Sequence, residues 1–116
     1  MKGKMDTRSL DATRLLAHVL AGSGRHREAR DLLLGILAAD PGDAAARRSL
    51  VAARLALGEY DEAEPDARRV ADTEEGAGRA PALFLHAHAL WGCGRLDECR
   101  AAVDRYAASL AAENSE

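Results

Sequence analysis

The chain has 116 residues, and 16 basic against 19 acidic side chains give it a formal net charge of −3. This length suits one domain, and 30% charged with 47% hydrophobic residues is typical of a soluble globular protein rather than a disordered segment. An isoelectric point near 5.8 disfavours nucleic-acid binding. No apolar run approaches the roughly 18 residues of a membrane span. The basic N-terminus is not followed by the apolar run that a secretory signal requires.

Alanine and leucine dominate the sequence, with 26 and 16 residues, whereas aromatic residues make up only 3%. This composition favours close-packed helices over a β-sheet. Apolar residues also recur at spacings of three and four along most of the chain. The pattern predicts an all-α fold of six antiparallel helices, over residues 9–22, 26–39, 43–57, 61–73, 79–92 and 97–112.

Similar turns join the predicted helices in pairs. They begin at Gly24, Gly58 and Gly94, which are spaced 34 and 36 residues apart, and each continues into a helix with a Glu and then a small residue. Glycine ends a helix without steric cost because it adopts the left-handed conformation freely. The spacing therefore predicts three helix-turn-helix units.

Acidic residues next to these turns are predicted to cap helices. Asp61 and Asp97 follow the second and third glycines, and Asp43 follows Pro41, which stops the preceding helix. Pro65 is expected in the first turn of its helix, where few backbone N–H groups have partners.

A 34-residue helix-turn-helix unit with this pattern resembles the tetratricopeptide repeat (TPR). The matching positions are Ala17, Ala29, Leu33 and Pro41, then Leu50, Tyr60, Ala63 and Val70, then Ala87, Leu90, Cys99 and Tyr106. The resemblance implies an α-solenoid of three TPR repeats in one domain, residues 10–113, with repeats at about 10–43, 44–77 and 80–113. Residues 1–9 are then an N-terminal leader and residues 114–116 a polar tail.

The sequence offers no recognisable catalytic group, and we predict a protein that is not an enzyme and holds no metal or cofactor. His86 and His88 lie about 200° apart around a helix, which disfavours a metal pair. We interpret His86 as a tolerated residue near the core, at a position where the repeat normally has leucine. Cys99 takes the small-residue position of the turn and is interpreted as a packing residue, with a regulatory disulfide to Cys93 as the alternative.

In a TPR array the first helix of each pair lines a concave groove. Phe84 and Trp91, the only Phe and Trp of the chain, are predicted to be binding anchors there. The alternative is that Trp91 packs over the end of the array and contacts no partner. The predicted partner-binding groove consists of Arg14, Leu15, His18, Arg48, Ser49, Ala52, Leu55, Phe84, Leu85, His88 and Trp91.

Some TPR proteins clamp a C-terminal carboxylate with cationic and Asn side chains in this groove. The corresponding positions here are Arg14, His18, Ser49, Pro81 and Leu85, among which Arg14 alone has the required charge. The groove is therefore better suited to an amphipathic helix or an extended segment of a protein partner.

Within the TPR proteins, the sequence resembles the small export chaperones of type III secretion systems, most of all the YscY-like group. The residues that carry this resemblance are Ala46-Arg47-Arg48-x-Leu50-Val51-Ala52, Ala63-Glu64-x-x-Ala67, Gly94-x-Leu96-Asp97-x-Cys99-Arg100 and Tyr106.

The resemblance implies a cytoplasmic bacterial chaperone that binds one small helical secretion substrate and presents it to the export gate. Two alternatives stay open: a chaperone of the needle subunit, and a general TPR scaffold or regulator unrelated to secretion. We expect no binding to nucleic acid and no insertion into a membrane. The free chain is either a monomer or a homodimer.

Overall fold

A computed structural model describes residues 7–114 of the chain. Over this range the structure contains helices and no strand. The α-helices are α1 (Thr7–Gly22), α2 (His26–Ala39), α3 (Ala44–Ala56), α4 (Tyr60–Thr73), α5 (Arg79–Gly92) and α6 (Leu96–Asn114), with a 3₁₀ helix at Gly76–Gly78. The six predicted helices are confirmed to within two residues at each end. Residues 1–6 of the predicted leader and 115–116 of the predicted tail lie outside the described residues.

The N-terminal unit, Met1–Leu57, is built from α1, α2 and α3. The middle helix α2 packs against both of its neighbours. Small alanines let the helices approach closely, and larger aliphatic side chains fill the space between them. The core consists of Ala17, Leu33, Ile36, Ala46, Leu50 and Ala53.

The C-terminal unit, Gly58–Glu116, is built from α4, the 3₁₀ helix, α5 and α6. Here α5 packs against both α4 and α6, and it is the most buried helix of the unit. Its buried residues are Ala80, Ala82, Leu83, His86, Ala87, Ala89 and Leu90. The division between the two units falls within the second predicted repeat, and the boundaries of the three repeats stay a prediction.

The predicted glycine turns are confirmed. Gly24, Gly58 and Gly94 have φ angles of 81°, 76° and 76°, in the left-handed region. In the first and third turns the residue after the glycine donates its N–H to the carbonyl five residues earlier, Arg25 to Leu20 at 2.9 Å and Arg95 to Leu90 at 3.0 Å. This is the bond that closes a Schellman-type helix end.

The predictions for helix starts are confirmed in part. Asp43 caps α3, since its side chain accepts the Ala46 N–H. Asp61 and Asp97 lie inside the first turns of α4 and α6 rather than at a cap, because both helices begin one residue earlier than predicted. They still favour the positive end of the helix dipole. Pro65, the sixth residue of α4, lies in its second turn and not its first.

The first and last helices are less covered than the sequence pattern predicts. Leu16, Val103 and Leu110 belong to the apolar residues that recur at spacings of three and four, a pattern that favours burial, but all three are exposed. In the described residues, α1 packs against α2 and α6 packs against α5. Each of these helices therefore has one covered side, and part of its apolar surface stays in solvent.

Candidate protein-binding surfaces

Most of the predicted groove residues of the N-terminal unit lie at its surface. Those that are exposed or half-exposed are Arg14, Leu15, His18, Arg48, Ser49 and Ala52. Leu55 is a correction, because its side chain is only 5% exposed and is not presented to a partner. Helix α3 has buried residues on more than one side, and Val51 is one of them. Burial of the Leu55 side chain contributes about 1.5–3 kcal/mol to the stability of the fold.

Three carboxylates hold the guanidinium of Arg14, one of the two arginines of the predicted groove. Its Nε donates to Asp43 Oδ2 at 2.7 Å, its Nη1 to Asp11 Oδ1 at 2.9 Å, and its Nη2 to Asp40 Oδ2 at 3.3 Å. The bond to Asp43 is the main reason that the pKa of Arg14 is raised. Arg14 therefore ties α1 to the start of α3, beside a cavity of about 180 Å³ that His18 and Ser49 also line.

Asp43 combines the helix cap with this ion pair. Its Oδ1 accepts the Ala46 N–H at 3.0 Å. Burial by itself raises the pKa of the carboxyl, but the bonds from Ala46 and Arg14 outweigh it and hold the pKa of Asp43 below the ordinary value. A lowered pKa in the folded state means that the carboxylate stabilises the fold at neutral pH. This contribution is lost as the pH falls through the folded-state pKa.

Replacing Asp43 with asparagine is expected to lower the free energy of unfolding at pH 7 by about 1–2 kcal/mol. Asparagine keeps the helix cap but removes the charge that faces Arg14. Urea denaturation of both proteins should show this difference at pH 7. The two free energies should converge as the pH falls through the folded-state pKa of Asp43, because the carboxyl of the parent protein then becomes protonated. A difference that keeps the same size as the pH falls would contradict this role.

All four aromatic residues of the chain come together in the C-terminal unit. Together with His88 they form what we call the aromatic surface: Tyr60, Phe84, His88, Trp91 and Tyr106. Phe84 and Trp91 are 51% and 59% exposed. The ring centroids of Phe84 and Tyr106 lie 5.6 Å apart, and Trp91 meets Tyr60 edge-on at 6.4 Å. Positions 84, 88 and 91 share one face of α5, as their spacing predicts.

Two apolar cavities open at this surface. One has a volume of about 370 Å³, and its lining contains no Asp, Glu, Lys or Arg. It is lined by Phe84, Ala87, His88, Trp91, Cys99, Val103 and Tyr106. The other, of about 500 Å³, is lined by Phe84 and Tyr106 together with Pro81, Leu85 and Leu110. Leu85, a predicted groove residue, is half-buried there.

Tyr60 reaches the aromatic surface from α4 because Gly92 leaves room for its ring. A Cβ at position 92 would overlap the ring atoms of Tyr60. The sequence interpretation placed Tyr60 and Tyr106 in the repeat pattern and missed that they join Phe84 and Trp91. The low number of aromatic residues was the one feature of the sequence that could have suggested this cluster.

A buried ion-pair cluster lies between α4 and α5. Glu64, which is almost fully buried, accepts from His86 at 3.2 Å, from Arg68 at 3.2 Å and from Arg95 at 3.1 Å. The bond to Glu98 is the main reason that the pKa of Arg95 is raised, and Glu64 contributes to it. His86 is thus buried with a specific partner and is more than a tolerated residue near the core.

The two cysteines are free thiols. Cys99 packs against Ala87, Leu90 and Ala102, as predicted, and its thiol donates to the Ala87 carbonyl at 3.3 Å. Burial, with a contribution from Asp61, raises the pKa of Cys93, which disfavours the reactive thiolate.

The part of the chain that the structure describes contains no cluster of three His, Cys, Asp or Glu residues suited to a metal ion. None of the helices within residues 7–114 has the length and apolar content that crossing a bilayer requires. The predicted groove residues lie in two separate units, and one continuous groove across them stays a prediction.

The sequence matches the tetratricopeptide repeat family over residues 10–34 and 80–105. Two crystal structures of TPR-like repeats, both from a Podosopora anserina protein assigned as a kinesin light chain and one of them a single-residue variant, match the structure with a TM-score of 0.74. Each is 22% identical to this chain, and the match covers 100% of this chain and 61% of theirs. A search of curated proteins gave no significant match. The chain thus has an all-α, TPR-like fold, which confirms the predicted fold class.

Proposed function

We propose that this chain, with its TPR-like helix pairs, is a non-catalytic protein-binding module that holds a helical segment of a partner on its aromatic surface. The observation that supports this most is the exposure of Phe84 and Trp91 around an apolar cavity of about 370 Å³. Burial of apolar surface contributes a favourable free energy of about 25 cal/mol for each Å² removed from water. A partner that covers these rings recovers that free energy, as aromatic anchors do at protein interfaces.

A helix suits this surface better than an extended segment. The cavity lining offers few polar groups to bond a bare backbone, whereas a helix satisfies its own N–H and C=O groups. A partner helix also presents apolar side chains at spacings of three, four and seven. The same spacings separate Phe84, His88 and Trp91 on α5.

We further propose that the partner is a small helical substrate of a type III secretion system. In this role the chain is a cytoplasmic export chaperone of a bacterium, which shields the apolar face of the substrate and presents it to the export gate. The support is the sequence resemblance over residues 29–116 together with the aromatic surface. A bound substrate would also stabilise the chaperone by mass action.

Affinity purification of the tagged full-length chain from its native organism, with mass spectrometry of the bound proteins, tests this proposal. We expect one small helical protein at about equal stoichiometry, whose secretion depends on the type III apparatus. Recovery of a cytosolic partner without such dependence would contradict the export role and leave the binding module. Failure to recover any partner would contradict both.

The second candidate is a scaffold or regulatory module without a role in secretion. The exposed apolar faces of α1 and α6 favour it, because such faces also suit association between copies. The neighbouring genes discriminate between the two candidates, since an export chaperone is expected among genes of the secretion apparatus.

A further inference from the structure

Helix α1 exposes a face that the equivalent helices bury. The turn glycines place α3 34 residues after α1, and α5 70 residues after it. The face on α1 consists of Ala12, Leu16 and Val19, of which Leu16 is 49% and Val19 55% exposed. Its equivalents in α3, all buried, are Ala46, Leu50 and Ala53. Its equivalents in α5, also buried, are Ala82, His86 and Ala89.

Helix α6 exposes the complementary face. Its residues Leu96, Arg100, Val103 and Ala107 form one stripe at spacings of four and three, and all are exposed. The equivalents in α4 are buried or half-buried: Tyr60, Glu64, Ala67 and Ala71. So are the equivalents in α2: His26, Arg30, Leu33 and Leu37. In those helices the stripe lies toward the next helix, as the bond from Glu64 to His86 and the shared core of Leu33 and Leu50 demonstrate.

The chemistry of these two faces matches that of the equivalent positions in α2 and α3, two helices that pack against each other. Where α2 packs on α3, the stripe carries Arg30 and the opposing helix carries Leu50 at the equivalent position. If α6 packed on α1 in the same way, Arg100 would stand opposite Leu16, which is the same pair of residue types. Arginine suits such a site because its aliphatic stem packs on the leucine while the guanidinium reaches solvent.

The charge distribution along the chain also favours contact between the α1 face of one copy and the α6 stripe of another. Residues 1–57 contain 10 basic and 6 acidic side chains, whereas residues 58–116 contain 6 basic and 13 acidic. The segment that carries α1 is therefore positive and the segment that carries α6 is negative. Such complementarity favours the approach of the two faces from different molecules and opposes like-with-like contacts.

We propose that the α6 stripe of one copy packs against the α1 face of a second copy, in a head-to-tail contact that repeats the α2–α3 packing. The contact buries Leu16 and Val19 of one copy against Leu96 and Val103 of the other. This inference goes beyond the proposed function. The contact shares Val103 with the cavity at the aromatic surface but includes no aromatic ring, and Val19 does not line that cavity, so Val19→Asp tests the self-contact separately.

Sedimentation equilibrium of the full chain over a wide concentration range tests the association. The mass is expected to rise with concentration from 12.3 kDa toward at least twice that value. Val19→Asp and Val103→Asp should each weaken self-association at least about tenfold, because a carboxylate would be buried in an apolar contact. Leu34→Asp is the matched control, since Leu34 is exposed on α2 and belongs to neither face. It should associate like the parent chain.

Mixing the two variants tests the head-to-tail arrangement. The Val19→Asp protein keeps an intact α6 stripe, and the Val103→Asp protein keeps an intact α1 face. An equimolar mixture should therefore regain one contact and form a 1:1 dimer of the two variants, although neither associates alone. Circular dichroism should show equal helicity for all three variants.

Three outcomes would overturn the proposal. A parent chain that stays monomeric at every concentration would mean that something other than a second copy covers these faces. Self-association that survives both substitutions would place the contact elsewhere. Variants that stay monomeric on mixing would indicate a symmetric contact instead of a head-to-tail one.

Discussion

Replacing Trp91 with alanine is expected to weaken partner binding about 30-fold or more, which corresponds to about 2 kcal/mol, while the helicity stays unchanged. Trp91 is more than half exposed, and its ring meets Tyr60 edge-on and lies 6.3 Å from the ring of His88 between centroids. Loss of these contacts should lower the free energy of unfolding by no more than about 1 kcal/mol. Binding is measured by titration calorimetry with the partner recovered by affinity purification, and stability by urea denaturation.

Leu34→Ala is the control for the Trp91 substitution. Leu34 is also a large exposed apolar residue, but it lies on α2 in the N-terminal unit and is not part of the aromatic surface. Its removal should leave the affinity unchanged. If Trp91→Ala instead unfolds the protein at much lower urea concentrations, Trp91 is a core residue. Unchanged affinity and stability would mean that Trp91 contacts no partner, the alternative left open by the sequence.

Replacing Gly92 with alanine is expected to destabilise the C-terminal unit by about 1–3 kcal/mol. Alanine normally stabilises a helix relative to glycine, and Gly92 lies within α5 without a positive φ angle. A Cβ at this position, however, overlaps the ring of Tyr60. Tyr60 must then leave its place, and the edge-on contact with Trp91 is lost with it. Urea denaturation gives the change in free energy of unfolding.

Replacing Gly35 with alanine is expected to have the opposite effect on stability. Gly35 lies within α2, and a Cβ there meets no atom within 4 Å. Gly35→Ala should therefore stabilise the protein by about 0.5–1 kcal/mol. Stabilisation at both positions would disprove the role of Gly92 in seating Tyr60. In a chain that already carries Tyr60→Ala, adding Gly92→Ala should no longer lower the free energy of unfolding, because the ring that the Cβ overlaps is absent.

The helices and turns could be predicted because their signals are local. A glycine with a positive φ angle, or an aspartate three residues before a free N–H, acts within one helical turn. The bonds between side chains of different helices could not be predicted in the same way. Arg14 bonds to Asp43 across 29 residues, and Glu64 bonds to His86 across 22. Such pairs depend on how the helices pack, which periodicity alone does not specify.

The residues of the candidate site also differ in whether the sequence could predict their exposure. The exposure of Phe84 and Trp91 follows from their positions on α5, and the sequence was sufficient to predict it. Leu55 is buried although the sequence assigns it to the groove, and Leu16 is exposed although it belongs to the apolar pattern of α1. Their burial depends on which sides of each helix are covered. Helix α3 is covered on more than one side, whereas α1 has one covered side in the described residues.

The buried pair of Glu64 and His86 has a consequence for folding. Units of similar sequence are prone to mispair, because a helix from one unit can replace the corresponding helix of another. The helices that could replace α5 in this way carry Leu16 or Leu50 where α5 has His86. Either would place hydrocarbon where the imidazole bonds to Glu64, and the buried carboxylate would lose one of its three partners. A hydrogen bond to a charged group contributes about 1.5–3 kcal/mol. One carboxylate and one imidazole thus favour the pairing of α4 with α5 over its pairing with another helix.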